Sequence, residues 1–328
     1  MKPRSALKMK NLNQTPRSLR RKSDELRKET LLPKPIIIGG EDSERGRYKY
    51  VVSLINRSGY HVCGGSLVAR DLILTAAHCN GYFVKVQIGR YDNSDNLETY
   101  EVFDVSGKII HESFDDRLLR NDFMIVRING LSSNPLVVLK EDEQIPELLT
   151  VVGWGVQEVD GEPYRGPLQE TNVKYIPNSK CKMSAGYING VYGTYYGLIQ
   201  DNMLCAGAPS TDACSGDSGG PLIIKGSDAS EDIQVGVVSW GFGCAYPDFP
   251  GVYARVSNQI SWIKSIICIL SNDVPSHISC PTRHRQPQLD SCTVKRPCKP
   301  GFECINERCN EIRDKNKARS RDGNLFGG

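Results

Sequence analysis

From Ile36 onward the chain is a succession of short apolar runs separated by turn residues: YVVSLI, GGSLVARDLILTAAHC, FVKVQIG, FMIVRI, LLTVVGWG, IQVGVVSW and GVYARV. Runs of this length, rich in Val, Ile and Leu and closely spaced, predict strands of an all-β barrel or sandwich. One stretch departs from that texture. In SNQISWIKSIICIL, residues Ile260, Ile263, Ile266, Ile267 and Leu270 recur at helical spacing behind Ser257 as a candidate cap, which predicts an amphipathic helix closing the domain.

On both sides of this body the apolar pattern lapses. Residues 1–36 are charged and polar, with LLPKP at 31–35, and read as a basic, disordered pro-segment. Residues 271–328 are rich in proline and charge, with too few apolar side chains for a core of their own. Cys280, Cys292, Cys298, Cys304 and Cys309 fall there, and Cys268 at the helix end makes six. Their spacing lacks the paired C-x₂-C knuckles of a zinc site, so disulfides are the expectation. The boundaries read from the sequence are thus 1–36, 37–270 and a cysteine-rich, basic tail at 271–328.

Composition sharpens the picture in two respects. The net charge of +3 is unevenly laid out: 11 Lys/Arg stand against 3 Asp/Glu in residues 1–35, so a basic start precedes an acidic body. No aromatic residues are interleaved with those N-terminal arginines, and nucleic acid is not an expected partner. Twelve cysteines suit disulfides in an oxidising compartment, which implies secretion, although no apolar signal-peptide core stands near Met1. No run of about 18 apolar residues predicts a membrane span.

Three residues carry candidate chemistry: His78 in LTAAHCNG, Asp122 in RNDFMIVRI and Ser218 in DACSGDSGGP. Each alone reads as structural or solvated. Together they supply what a serine nucleophile needs, because a hydroxyl is a poor nucleophile near neutral pH. An imidazole must take its proton, and a buried carboxylate must fix that ring's tautomer and favour its charged form.

With the segments IIGG, CGGSLVARDLILTAAHC, NDFMIVRI, VVGWG, CAG, DACSGDSGGP, VVSWGFGCA and PGVYARV in this order, the chain from about Ile37 to Leu270 resembles the trypsin/chymotrypsin family of serine endopeptidases, in its trypsin-like branch. The order His, Asp, Ser also disfavours the α/β-hydrolase and subtilase arrangements. The resemblance implies an all-β fold of two six-stranded antiparallel barrels with a C-terminal helix, and the triad in the cleft between them. It makes His78 the general base and acid, Asp122 its orienter and Ser218 the nucleophile, with the N–H groups of Gly216 and Ser218 forming the oxyanion hole. Asp212 would floor the specificity pocket, Gly241 and Gly251 its walls, while Ser239 would sit behind Asp122 and lead the substrate-binding strand through Trp240. A buried carboxylate at 212 implies cleavage of peptides after Arg or Lys. The implied disulfides are Cys63–Cys79, Cys181–Cys205 and Cys214–Cys244.

The resemblance further implies a zymogen, activated when the freed amino group of Ile37 pairs with Asp217. Here the sequence departs from the family: the residue before Ile37 is Ile36, and Lys34 is followed by Pro35. A second departure is Arg90, which stands where relatives place a calcium-binding glutamate, so neither metal nor cofactor is expected. Asn56-Arg57-Ser58 is a glycosylation sequon in an expected loop. The expected partners are protein or peptide substrates of a monomeric enzyme, with a further protein partner for the tail. The rival expectation is a protease-shaped binding or adhesion protein without catalysis.

Overall fold

The computed structural model describes residues 40–155, 165–208, 216–242, 246 and 248–281, together with the backbone of 302–305 and 308–311. A short strand β1 (Glu41–Asp42) leads into β2 (Val51–Ile55), β3 (His61–Ala69), β4 (Leu72–Thr75), β5 (Lys85–Ile88), β6 (Glu101–Ile110) and β7 (Met124–Ile128). Strands β2 to β7 close into an antiparallel barrel in the order β2-β3-β4-β7-β6-β5. Its core is the expected apolar runs: Val52, Leu54, Leu67, Ile73, Leu74, Val86, Ile88 and Ile125 are all fully buried.

Strand β6 lay outside the expected runs, and its burial shows why. Its sequence EVFDVSGKII alternates half-buried and exposed positions along its first half, and its pairing with β7 shifts register between Val105 and Gly107. Such a strand coats the barrel without presenting a continuous apolar run.

After β8 (Val138–Leu139) come β9 (Leu148–Gly153), β10 (Gln169–Ile176), the short helix α1 (Asn178–Cys181), β11 (Ala185–Ile188), β12 (Val191–Thr194), β13 (Met203–Gly207), β14 (Pro221–Ile224), β15 (Ile233–Trp240) and β16 (Gly251–Arg255). Strands β9, β10, β13, β16, β15 and β14 pair in that order, and β14 pairs back with β9, which closes a second six-stranded antiparallel barrel. Leu149, Val151, Val173, Leu204, Leu222, Val235 and Tyr253 pack its interior. Strand β10 also went unnoticed in the sequence, because two of its inward positions are Gln169 and Thr171, buried polar residues in a strand that reads as hydrophilic. The two-barrel architecture expected from the resemblance is the one observed.

The tyrosine-rich stretch after α1 forms a hairpin, β11 paired with β12. Asn189 (φ 50°) and Gly190 (φ 82°) form its turn, and the rings of Tyr187 and Tyr192 meet across the strands at 5.6 Å. Two consecutive positive φ values match the twist of a tight hairpin, and an Asn-Gly pair adopts them at least cost.

The closing helix α2 runs Val256–Leu270 and buries Ile263 and Ile267, as its spacing requires. The expected serine cap does not form. Arg255 occupies the capping position with no side-chain cap, and Ser257 lies inside the first turn with its hydroxyl buried and unpaired. The helix grows directly out of β16, so the strand's last residue takes the capping place.

Residues 279–328 separate from the rest as a second compact unit, which contains the antiparallel pair β17 (Phe302–Ile305) and β18 (Arg308–Glu311). Among the described residues no cysteine is free.

Candidate active site

The first barrel supplies a histidine and a carboxylate from neighbouring strands. His78 lies in a 3₁₀ turn, Ala77–Cys79, just after β4, while Asp122 stands just before β7, and β4 pairs with β7 from Leu72–Arg127 to Thr75–Met124. This pairing brings residues far apart in sequence to one end of the barrel. Asp122 is fully buried, and its carboxylate accepts three hydrogen bonds: from the backbone N–H of His78 at 2.9 Å, from His78 Nδ1 at 2.7 Å and from Ser239 Oγ at 2.6 Å. With Nδ1 donating to the carboxylate, Nε2 is left as the ring's proton acceptor, facing away from Asp122.

The second barrel supplies the serine. Ser239 sits on β15, so its bond to Asp122 fastens the two barrels together at the histidine. Ser218 precedes β14 in a segment tied to β3: Gly64 N–H donates to the Ser218 carbonyl at 2.8 Å. The disulfide Cys63–Cys79 joins the residue before Gly64 to the residue after His78, and Cys79 Sγ lies 3.6 Å from the Ser218 carbonyl oxygen. Histidine and serine are therefore brought to one locality by one covalent link and one backbone bond.

Around Ser218 the backbone takes shapes that glycine permits. Gly216 has φ +100° and Gly219 φ +82°, the left-handed region that L side chains rarely adopt. A side chain at 219 would also run into Thr75 and the Gly64 carbonyl. Among the described residues, the N–H groups of Gly216 and Ser218 donate to no backbone carbonyl. The Gly216 carbonyl accepts from His61 Nε2 at 2.8 Å, and His61 Nδ1 then accepts from Ser53 Oγ, also at 2.8 Å. Burial, and more weakly the charge of Arg90, pull the His61 pKa down to about 4, so the ring that braces this loop is neutral. Sequence reasoning did not single out His61, since a lone histidine before Cys63 carries no pattern of its own.

Asp217 is fully buried and accepts from Gly155 N–H at 2.8 Å. A Cβ at 155 would overlap that carboxylate, so the glycine of VVGWG is required by contact. Ile37, the expected partner of Asp217, lies outside the described residues, as do Asp212, Cys214 and Cys244. Of the other expected pocket residues, Trp240 packs against Tyr195 at 5.1 Å within an aromatic group completed by Phe242 and Phe249. Gly251 is buried opposite Ala206, and Gly241 is exposed.

Both Cys63–Cys79 and Cys181–Cys205 are formed as expected, and Cys268 and Cys280 are each disulfide-bonded. Asn56 opens a turn in which its Oδ1 accepts from the N–H groups of Ser58 and Tyr60. Arg90 fills the interior of the loop that follows it: Nε donates to Asp92 O, Nη2 to Asn93 O and Nη1 to Gln87 Oε1, at 3.2, 3.0 and 2.8 Å. A guanidinium thus organises the oxygen atoms of this loop. Among the described residues no cluster of three or more His, Cys, Asp or Glu could hold a metal ion.

The arrangement holds an imidazole in one tautomer in the same locality as a serine, a pairing that nucleophilic acyl transfer requires. Comparison with known proteins agrees. A family model described as Trypsin matches residues 37–263. The anionic trypsin of Canis lupus familiaris is 36% identical over 243 residues, covering 70% of this chain and 89% of that protein. A trypsin of Xenopus laevis is 35% identical over 240 residues, with 70% and 90% covered, and trypsin delta of Drosophila melanogaster is 35% identical over 239, with 70% and 87% covered.

Proposed function

Because the chain belongs to the trypsin family and is a trypsin-like serine endopeptidase, we propose that it cleaves peptide bonds after Arg or Lys through an acyl-enzyme and is made as a zymogen. In this reading Ser218 Oγ attacks the peptide carbonyl while His78 Nε2 takes its proton. The same proton is then delivered to the leaving amine, and water repeats the cycle on the acyl-enzyme. Asp122 holds the ring and stabilises its charged form, and the N–H groups of Gly216 and Ser218 hold the oxyanion. The observation that carries the reading is the threefold clasp on the buried Asp122, which leaves His78 Nε2 as an acceptor.

Asp212 confers the preference for a basic residue, with Gly241 and Gly251 leaving room for its long side chain. Activation follows a cut that frees the amino group of Ile37 for Asp217, and residues 1–36 are the pro-segment removed. The protein acts outside the cell on protein or peptide substrates, as a monomer, with Asn56 a glycosylation site and residues 271–328 a separately stapled module that contacts a protein partner.

The test is a fluorophosphonate probe applied to protein beginning at Ile37, followed by cleavage of matched Arg-ended and Phe-ended reporter peptides. Labelling at Ser218 with a strong preference for the Arg peptide supports the reading. Absence of labelling would favour a non-catalytic binding protein, and equal rates on the two peptides would remove the role given to Asp212. Sequencing the amino terminus of active material tests the activation cut, for which Ile37 is the expected first residue.

A further inference from the structure

Beside the first barrel lies a pocket of about 290 Å³ whose walls include Tyr60, His61, Asn93, Tyr100 and two arginines, Arg90 and Arg165. None of its lining residues among the described residues is acidic. Arg90 is only 9% exposed, yet its three hydrogen bonds go to neutral oxygens, and among the described residues no carboxylate lies within ion-pairing distance of it. Glu98, the carboxylate of the same loop, is turned elsewhere, to Arg45 and to the N–H groups of Tyr91 and Asp92. A guanidinium carries five N–H donors, so two on Arg90 remain beyond these three bonds.

Arg165 stands over the Tyr60 ring at 5.1 Å, as Arg90 stands over Tyr100 at 4.6 Å, and Arg165 likewise has no carboxylate partner among the described residues. Asn93 Nδ2 is buried with no hydrogen-bond partner. Two flat cations stacked on aromatic faces and a spare amide donor, with no carboxylate beside them among the described residues, make a site suited to an anion. Burying a charge without a counter-ion is costly, and a carboxylate that entered would relieve that cost while satisfying several donors at once.

We propose that this pocket binds a carboxylate side chain, Glu or Asp, carried by a peptide segment. The pocket shares His61 with the loop that carries Gly216, through the His61 Nε2 bond to the Gly216 carbonyl, so its occupant lies close to the reacting centre. Its volume is at the lower edge for small-ligand sites and suits a side chain. The carboxylate belongs either to the substrate being cut or to a separate acidic peptide that modulates cutting.

Binding is measured on the full chain carrying Ser218→Ala, so that it depends on neither activation nor cleavage. A peptide with several glutamates in a glycine background and no Lys or Arg is titrated against its all-glutamine counterpart. The glutamate peptide is expected to bind about tenfold more tightly, the scale of one charge-assisted hydrogen-bonded contact, and less tightly as salt rises. Arg165 is exposed, so Arg165→Gln is expected to fold and to erase the preference, and Arg165→Glu to transfer it to a lysine peptide. Equal binding of the glutamate and glutamine peptides, or a preference that survives Arg165→Gln, overturns the proposal.

Two kinetic arms on the active enzyme then separate the sources. Higher kcat/KM for Arg-containing substrates extended with Glu rather than Gln marks the substrate as the source. A change in the rate on a short reporter when the free glutamate peptide is added marks a separate ligand. Failure of the protease reading leaves the binding result standing, and failure of binding leaves the protease reading untouched.

Discussion

Acidification should weaken the fold through His61. In the folded chain this ring resists protonation until about pH 4, chiefly because it is desolvated, whereas an unfolded histidine titrates near 6.5. Between those values the unfolded chain binds a proton that the folded chain refuses, so stability falls as pH drops from about 6.5 to about 4 and this contribution levels off below. A depression of roughly 2.5 pH units at about 1.4 kcal/mol each puts the total at about 3.5 kcal/mol. Urea unfolding of the full chain at a series of pH values measures it. His61→Gln keeps a donor for the Gly216 carbonyl without a titrating ring, so the variant should show a shallower slope in that window by about 3.5 kcal/mol in total. An unchanged slope in the variant would refute the assignment, because it would place the pH dependence on other groups.

Three further outcomes follow from the same contacts. Arg47 and Tyr50 both donate to the buried Asp232, with Arg47 in two bonds at 2.6 and 2.8 Å; Arg47→Met strands that carboxylate and should lower stability by about 3–5 kcal/mol in urea unfolding. Gly155→Ala drives a methyl group into the Asp217 carboxylate, and should lower kcat far more than it lowers the thermal midpoint, read on activated protein. Ser239→Ala removes one of three donors to Asp122. A bond to a charged group is worth about 1.5–3 kcal/mol, so kcat/KM should fall about 10- to 100-fold while circular dichroism stays unchanged.

How far the sequence reached depended on where its physics was local. Strands buried on both faces, such as Val51–Ile55 and Leu72–Thr75, announce themselves as apolar runs, and so does the 3.6-residue spacing of Ile263 and Ile267. Strands whose inward positions are Gln169 and Thr171, or that coat a barrel with one face wet, as Glu101–Ile110 does, show no such run. The candidate triad was legible because motif and order specify it, and Ser239 was placed behind Asp122, where it lies. The roles of His61 and Arg90 were not legible. His61 depends on a carbonyl 155 positions away, and Arg90, expected to matter only by opposing calcium, gains its significance from pocket-wall neighbours at 55–61, 87–100 and 165.

The geometry also explains why the site should answer to events far from the serine. His78 and Asp122 belong to the first barrel and Ser218 and Ser239 to the second, and the bonds that align them cross between the two: Ser239 to Asp122, Gly64 to the Ser218 carbonyl, His61 to the Gly216 carbonyl. Two of those three fasten the backbone of residues 216–218 from the side of β3. Asp217 lies between the two carbonyls so held, with its carboxylate turned into the second barrel to meet Gly155. The segment is thus pinned by its carbonyls from one barrel and by its acid from the other, and the direction of the N–H groups of Gly216 and Ser218 is set by the balance. Whatever changes the partner of Asp217, or the charge beside His61, acts on those donors directly. Activation at the amino terminus and carboxylate binding at Arg90 and Arg165 would therefore converge on the same three residues of backbone.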